Sequence, residues 1–333
     1  MSILRYFIIA SFSCFVMHAQ SGEDFHLQKA GFDKISLKSK NDTIVFLISK
    51  SDSKVPKPTI LFIQGSLPLP VIFYDQEVSN SLIPFSIKEY SEKFNFIIIA
   101  RKGIPLIGSY DKDANGYLDS NGEVPLEYIK NNNLGYRVSQ VQSVINYLYG
   151  DKTTIKDSIF VIGHSEGYRV ACKLAENNTK IAKLVCMSAD PFNRVTESIL
   201  RERVKGFGIN NDEASQLEID KLIDDYKNIP ANKIAFKDNV NFNNWLSYNE
   251  NMSYESLRKF KNPILVVYGS ADIGSAHNDL LPFLLPKSNI KLKAYPNYSH
   301  NYEKKEFDAN GNPLEDSYHW DEVFKDIVNW LTL

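Results

Sequence analysis

The chain has 333 residues, of which 43% are hydrophobic and 12% aromatic, and its formal net charge is −2. That much apolar material is sufficient for one large core or two modest ones. A net charge this close to zero provides no field that would attract nucleic acid or an anionic membrane, so the expected partner is a small neutral or weakly charged molecule.

Residues 1–19 have the pattern of a secretory signal peptide. Arg5 provides a positive start, the apolar run 6–17 is too short to span a bilayer comfortably, and Ala19 is a small residue at the expected cleavage point. The alternative is a retained anchor. The pattern predicts an exported protein, periplasmic or extracellular, whose mature chain begins near residue 20 and has no stable membrane span.

The predicted mature chain opens with two strands between Phe32 and Ser49, joined by a turn at Asn41-Asp42. Short continuous apolar runs then recur, and such runs are typical of strands buried on both faces. They are TILFIQG (59–65), FNFIIIA (94–100), SIFVIG (158–163), IAKLVCMSA (181–189) and PILVVYG (263–269). The more polar IKLKAYP (290–296) is expected at an edge of the sheet.

Amphipathic helical patterns lie between or after these strands, at 136–150, 166–178 and 319–331. Strands that alternate with helices predict an α/β fold with a mostly parallel central sheet flanked by helices. We assign this core to residues 20–189 and 263–333.

Residues 190–262 interrupt the alternation, because they contain several helical patterns and no good strand. A helical insertion between two core strands is predicted to form a cap or lid over the carboxyl ends of the strands, where ligands bind in open α/β sheets. The alternative is an ordinary surface excursion.

The segment from Gly163 to Gly167, GHSEG, fits the pattern G-x-S-x-G and lies between a predicted strand and a predicted helix. In this context the glycines allow a very tight turn that projects the serine hydroxyl from the top of the sheet. The helix that follows directs its N-terminal dipole at the same point, which favours developing negative charge. Ser165 is therefore the candidate nucleophile.

A serine hydroxyl needs a base to remove its proton and a carboxylate to orient that base. Asp272 lies three residues beyond the strand that ends at Gly269, and His300 lies in the loop after the next strand. The order Ser, Asp, His at the ends of successive strands favours a catalytic triad of Ser165, Asp272 and His300.

Other acids and histidines are weaker candidates. Asp190, after the preceding strand, is the alternative acid, whereas Glu166 lies within the tight turn and is not expected to reach the histidine. Packing or structural roles are expected for His164, His277 and His319.

Acyl transfer also needs two donors for the oxyanion. One is the backbone N–H of Glu166, directly after the nucleophile, and the other should come from the loop after the strand at 59–65. Ser66 N–H is the predicted second donor, with Leu67 in reserve, because Gly65 permits close approach of the substrate. A plain turn at this position is the alternative.

With these residues assembled, the chain resembles the α/β-hydrolase superfamily over essentially its whole mature length, in its IQGS, GHSEG, YGSAD and YSH segments. The resemblance implies a serine hydrolase that uses Ser165, Asp272 and His300, has no cofactor and forms an acyl-enzyme. Gln64 departs from the common pattern, in which histidine precedes the oxyanion glycine. We expect an esterase acting on a small acyl substrate; the alternatives are a peptidase, an acyltransferase or a non-catalytic binding protein.

The segment from Asp111 to Glu123 resembles a calcium-binding loop. Its twelfth position is Gly122, where a bidentate carboxylate belongs, and Glu123 is one residue late. We therefore expect a solvated polar excursion there and not a metal site. No closely spaced cluster of Cys and His suggests zinc, so no metal is expected elsewhere.

Overall fold

The protein is represented by a computed structural model. It describes residues 22–333 apart from 40–41, 51–54, 76–77, 110–115, 209–210, 233–235, 238–239, 305, 309, 313 and 315–316. Within these residues, no helix combines the length and the apolar character needed to cross a bilayer.

The strands of the described chain range from two to eleven residues in length. They are β1 Phe32–Ser39, β2 Asp42–Ser49, β3 Lys57–Ile63, β4 Ile72–Asp75, β5 Val78–Ser81, β6 Asn95–Ile99, β7 Ile107–Ser109, β8 Thr154–His164, β9 Lys183–Met187, β10 Phe236–Lys237, β11 Val240–Asn241, β12 Ile264–Gly269, β13 Ile290–Tyr295, β14 Glu303–Lys304 and β15 Ser317–Tyr318.

The helices lie between or after these strands. They are α1 Gly22–Ala30, α2 Leu126–Asn131, α3 Leu134–Gly150, α4 Glu166–Ala175, α5 Arg194–Gly208, α6 Asp212–Asn232, α7 Phe242–Asn249, α8 Ser253–Lys259, α9 Leu281–Leu284 and α10 Trp320–Leu331, with a 3₁₀ helix at Ile273–Leu280.

A central sheet of eight described strands has the order β1-β2-β6-β3-β8-β9-β12-β13. The first two pairings are antiparallel, and every pairing from β6 to β13 is parallel. The carboxyl ends of β3, β8, β12 and β13 therefore meet at one edge of the sheet, where binding sites of open α/β sheets form.

Strand β3 shows why the sheet is covered on both faces. Leu61 and Ile63 pack into an apolar cluster with α3 and α4, whereas Ile60 and Phe62 pack into a second cluster with α10. All four side chains are buried. Since side chains of a strand alternate between the two faces, a continuous apolar run is what a sheet between two helical layers requires.

The predicted fold class, a mostly parallel sheet flanked by helices, is confirmed. The predicted edge strand at 290–296 is β13, the last strand of the sheet. Helix α1 and the separate sheet of β4, β5 and β7 were not expected from the sequence. These last strands have only three or four residues each, too few to show a hydrophobic period.

The segment 190–262 contains α5, α6, α7 and α8, and also the two-residue strands β10 and β11, which were not expected. Its role as a lid remains a prediction. The predicted signal peptide at 1–19 and the calcium-loop positions 111–115 lie outside the described residues. Asp119, from the same loop, accepts hydrogen bonds from the backbone N–H groups of Asn121 and Glu123, as in a polar turn.

Candidate active site

Ser165 lies between the end of β8 and the start of α4 with φ 57° and ψ −123°. This positive φ is unfavourable for a residue with a side chain, and it persists only where the surroundings enforce it. Here a Cβ on Gly163 would collide with the backbone of Gly167, and one on Gly167 would collide with the carbonyl of Ile63. The two glycines thus allow β8, α4 and β3 to approach closely enough to project Ser165 from the sheet.

The structure brings the three predicted triad residues together. Asp272 follows β12 and His300 follows β13. His300 Nε2 lies 3.0 Å from Ser165 Oγ, and His300 Nδ1 lies 2.9 Å from Asp272 Oδ2. Both distances are within the range of hydrogen bonds. His300 thus bridges the hydroxyl and the carboxylate in the order that acyl transfer needs.

Asp272 is held as a buried anion. Burial by itself would raise its pKa, but hydrogen bonds from His300 and Ser275, together with the charge of Arg201, lower the pKa to about 2. The backbone N–H of Gly274 donates to its other oxygen at 3.1 Å. An ionised carboxylate can only accept, so the His300 proton is on Nδ1 and Nε2 is free to accept from Ser165.

The alternative acid Asp190 and the histidines outside the predicted triad have other partners. Asp190 binds His277, with 2.6 Å between Oδ2 and Nδ1. His164 is buried and its ring packs edge-on against Trp320. Its Nε2 lies 3.1 Å from the carbonyl oxygen of His300, so it donates to that oxygen. Burial lowers the pKa of His164 to about 3, so the ring is neutral at physiological pH.

The third of these histidines, His319, lies at the start of α10. Its Nε2 is 2.8 Å from Ser317 Oγ and its Nδ1 is 3.2 Å from Glu322. These partners are local, and none of them is a triad residue.

The loop after β3 lies directly beside the candidate nucleophile. A Cβ on Gly65 would lie 3.3 Å from Ser165 Cβ and 3.6 Å from its Oγ. Ser66, the predicted second oxyanion donor, lines two cavities together with Ser165 and His300. The absence of a side chain at Gly65 therefore leaves space beside the hydroxyl, between the loop and Ser165 Oγ.

Two arginines and a tyrosine hold this loop through its carbonyl groups. Arg137 donates to the carbonyl of Gln64 and Arg101 to that of Gly65, both at 2.8 Å. The Tyr128 hydroxyl donates to the carbonyl of Ser66. The C=O and N–H of one trans peptide point in opposite directions, so the N–H of Ser66 points away from Arg101. The orientation of the Ser66 N–H is therefore fixed by the side chains that bind the carbonyl groups of the loop.

Gln64, where the superfamily pattern has histidine, lines a cavity beside Ser165 and is bonded to the neighbouring strand. It is buried, and its amide donates to the carbonyl of Ile99 at the end of β6. This contact ties the loop to the neighbouring strand. Gln64 therefore stabilises the position of the loop relative to β6.

Glu166 is a buried anion surrounded by arginines. Its Oε1 lies 2.8 Å from Arg137 and 3.4 Å from Arg101, and its Oε2 lies 3.5 Å from Arg194. Burial would raise the pKa of Glu166, but these three guanidinium groups lower it to about 2. Its backbone N–H remains the predicted first oxyanion donor, while its side chain organises the arginines that hold the 64–66 loop.

Two cavities open beside Ser165. The larger, of about 360 Å³, is mostly apolar and the smaller, of about 180 Å³, is mostly polar. The apolar walls of the larger cavity include Phe62, Leu67, Leu69, Leu82, Pro84 and Trp320. A site between the two can bind an apolar group on one side of a scissile bond and a small polar group on the other.

The described residues contain no group of three or more His, Cys, Asp or Glu side chains arranged to bind a metal ion. No protein-family model matches the chain, and no curated protein sequence matches it. Solved structures do match, although at low sequence identity.

Est1E from Butyrivibrio proteoclasticus, solved with ferulic acid bound, is 12% identical with a TM-score of 0.56; the match covers 90% of this chain and 98% of that one. This architecture has an established name. The chain has the α/β-hydrolase fold. A candidate dienelactone hydrolase from Klebsiella pneumoniae shares this fold at 13% identity, with a TM-score of 0.51 and coverage of 90% and 98%.

Dipeptidyl peptidase 4 from Porphyromonas gingivalis also matches, at 12% identity and a TM-score of 0.53, over 90% of this chain and 35% of that one. The chain therefore spans about a third of the peptidase. At these identities the likeness shows the α/β-hydrolase fold alone, and it does not decide between ester and peptide bonds.

Proposed function

We propose that the protein is a serine hydrolase that cleaves a carboxylic ester or a related acyl bond. The bridge that His300 forms between Ser165 and Asp272, at 3.0 and 2.9 Å, carries this proposal. The α/β-hydrolase fold, which hosts this chemistry at the same edge of the sheet, supports it.

In the proposed reaction, Ser165 Oγ attacks the acyl carbon while His300 Nε2 takes its proton. The tetrahedral oxyanion is bound by the backbone N–H groups of Glu166 and Ser66. His300 then protonates the leaving group, which departs and leaves an acyl group on Ser165. Water, deprotonated by His300, attacks this acyl-enzyme and releases the acid. Asp272 remains ionised throughout and stabilises the imidazolium.

The pattern of residues 1–19 supports the further proposal that the enzyme is exported and acts in a periplasm or outside the cell. The helical segment 190–262 is proposed to cover the substrate, since Arg194 and Arg201 of α5 line a cavity beside Ser165.

Labelling with a fluorophosphonate probe tests the proposal, since such probes react only with activated serine hydroxyls. The wild-type protein should be labelled, and Ser165→Ala should lose both labelling and turnover of p-nitrophenyl acetate, the latter by roughly 10⁴-fold or more. Ser139→Ala, which removes an exposed hydroxyl from α3, should behave as wild type. Near-normal turnover by Ser165→Ala would contradict the proposal.

A panel of p-nitrophenyl esters of graded chain length, compared with aminoacyl p-nitroanilides, would then assign the bond type. We expect the esters to be cleaved with the higher kcat/KM. Faster cleavage of the anilides would assign the same triad to a peptidase.

A further inference from the structure

The smaller cavity beside Ser165 has an unusual concentration of arginines. It has a volume of about 180 Å³ and contacts the reaction centre directly. Its three arginines come from two helices, Arg169 from α4 and Arg194 and Arg201 from α5. The complete lining is Ser66, Ser165, Glu166, Arg169, Ser188, Ala189, Arg194, Glu197, Arg201 and His300.

Two carboxylates, Glu166 and Glu197, line this cavity beside its three arginines. Glu197 lies between Arg169, at 2.9 Å, and Arg201, at 3.0 Å. Glu166 is shared by Arg194 and by the two arginines behind the loop, Arg101 and Arg137. Around this wider cluster, which includes Arg101 and Arg137 outside the cavity, five guanidinium groups contact Glu166, Glu197 and Asp272, the last at 3.3 Å from Arg201.

Arg169 has donor capacity that the protein does not use. Its side chain is only 5% exposed. Its Nε–H, fully buried, has no hydrogen-bond partner among the residues that the structure describes. A buried donor without a partner carries a free-energy cost, although this atom is itself not exposed, and Glu166 Oε2 and Ser188 Oγ in the same lining are likewise buried without a hydrogen-bond partner among the described residues. The side chains of Arg194 and Arg201 are 30% and 43% exposed, so a ligand can reach them.

We propose that this cavity binds a carboxylate of the substrate, so that the enzyme acts on an acyl compound with an anionic arm close to the scissile bond. The inference rests on the proposed hydrolase function. Planar guanidinium groups match carboxylates by paired, charge-assisted hydrogen bonds. The volume suits a short arm and is below the size of pockets for whole ligands. The larger apolar cavity then takes the remainder of the substrate.

Matched pairs of substrates test this inference, since the members of a pair differ in the charge of one carboxyl group and in the methyl group that masks it. One pair is mono-p-nitrophenyl adipate and its methyl ester, with the carboxylate on the acyl side. The other pair is 4-acetoxybenzoate and its methyl ester, with the carboxylate on the leaving group. Each kcat/KM is corrected for spontaneous hydrolysis. We expect the anionic member to be preferred by about tenfold or more in at least one pair.

The variant Arg201→Gln should remove most of this preference, since it deletes the most accessible guanidinium, and Arg201→Lys should retain part of it. Arg201 also contacts Asp272, so both members of a pair can become slower. Only the ratio between them reports the subsite. Arg203→Gln is the matched control, because Arg203 belongs to the same helix but pairs with Asp212 outside the cavity.

Three outcomes separate the two proposals. A preference for the anionic member that falls in Arg201→Gln and is unchanged in Arg203→Gln supports the subsite. Ser165-dependent turnover without such a preference in either pair, or a preference that Arg201→Gln does not change, overturns the subsite and leaves the hydrolase intact. Absence of any Ser165-dependent labelling or turnover overturns the proposed function itself.

Discussion

His300 can act on Ser165 only when its Nε2 is unprotonated and aimed at the hydroxyl, and Asp272 provides both conditions. The Nδ1–H donates to Asp272 Oδ2, which fixes the tautomer and the plane of the ring. Ser275 donates to the same oxygen at 2.6 Å, so the carboxylate is itself held in place. His164 donates a further hydrogen bond to the backbone carbonyl of His300.

Replacing Asp272 by Asn should therefore reduce kcat by roughly 10³- to 10⁴-fold at pH 7, since an amide can donate to Nδ1 and turn the ring to the wrong tautomer. Asp190→Asn, at the alternative acid, should change kcat by less than about tenfold, because Asp190 binds His277. Steady-state kinetics on p-nitrophenyl acetate measure both variants, and thermal unfolding checks that each is folded. A larger loss in Asp190→Asn than in Asp272→Asn would reverse the assignment.

At the scale of elements, the site depends on how closely α4 follows β8 and approaches β3. Gly167, in the first turn of α4, lies against the backbone carbonyl of Ile63 in β3. That carbonyl belongs to the central sheet and cannot move without disturbing the sheet pairing between β3 and β8. A side chain at residue 167 would therefore push the helix and Ser165 away from the loop at 64–66.

The variant Gly167→Ala should lower the free energy of unfolding by about 3 kcal/mol or more, since the added methyl meets fixed backbone. Gly150→Ala is the matched control at the end of α3, where a Cβ would meet nothing within 4 Å. It should be neutral or slightly stabilising, as expected for a helical glycine. Urea unfolding followed by circular dichroism measures both changes. Equal stability of the two variants would show that the close approach is not required.

The elements that carry the site were predictable because their signals are local. The strands β3, β8 and β12 are continuous apolar runs that end in loops with Gly, Ser or Asp, and the order of Ser165, Asp272 and His300 follows from that alternation. The short strands β4, β5 and β7 have no comparable signal. Their pairing depends on tertiary contacts that a window of three or four residues does not encode.

At the scale of the whole molecule, the arginines around the site were not predictable. Arg101 follows β6, Arg137 lies in α3 and Arg194 begins α5, so nothing in the sequence indicates that all three converge on Glu166. The sequence around an arginine does not show whether its side chain is exposed or buried. The only residue in the sequence that indicated such a cluster was Glu166, because a charged side chain in a buried turn needs partners of opposite charge.

The convergence on Glu166 joins the sheet, α3, α4 and the 190–262 segment through one carboxylate. Its pKa in the folded chain, about 2, is below the ordinary value of 4.5. A group whose pKa is lowered by folding adds stability above its unfolded pKa, and this stability is lost as the pH falls toward the folded pKa. The difference corresponds to a contribution on the order of 3 kcal/mol, present at pH 7 and lost between about pH 4.5 and pH 2.

The variant Glu166→Gln tests this coupling, because it removes the charge and keeps the volume. At pH 7 it should lower the free energy of unfolding by about 3 kcal/mol, since it leaves buried guanidinium groups unpaired. The difference in free energy of unfolding between wild type and the variant should narrow by about 1 kcal/mol at pH 3.5. At this pH, residue 166 of the unfolded wild-type chain is mostly protonated. Urea unfolding at pH 7, 5 and 3.5 measures the gap.

The control for this prediction is Glu218→Gln, which removes a carboxylate from α6 that is 58% exposed and 3.9 Å from Lys221. Exposed pairs of this kind contribute little because water and salt screen them, so its unfolding curves should follow wild type at every pH. A constant gap between Glu166→Gln and wild type from pH 7 to 3.5 would contradict the prediction. It would mean that the amide weakens the protein through lost hydrogen-bond geometry and that the charge of Glu166 does not hold the four elements together.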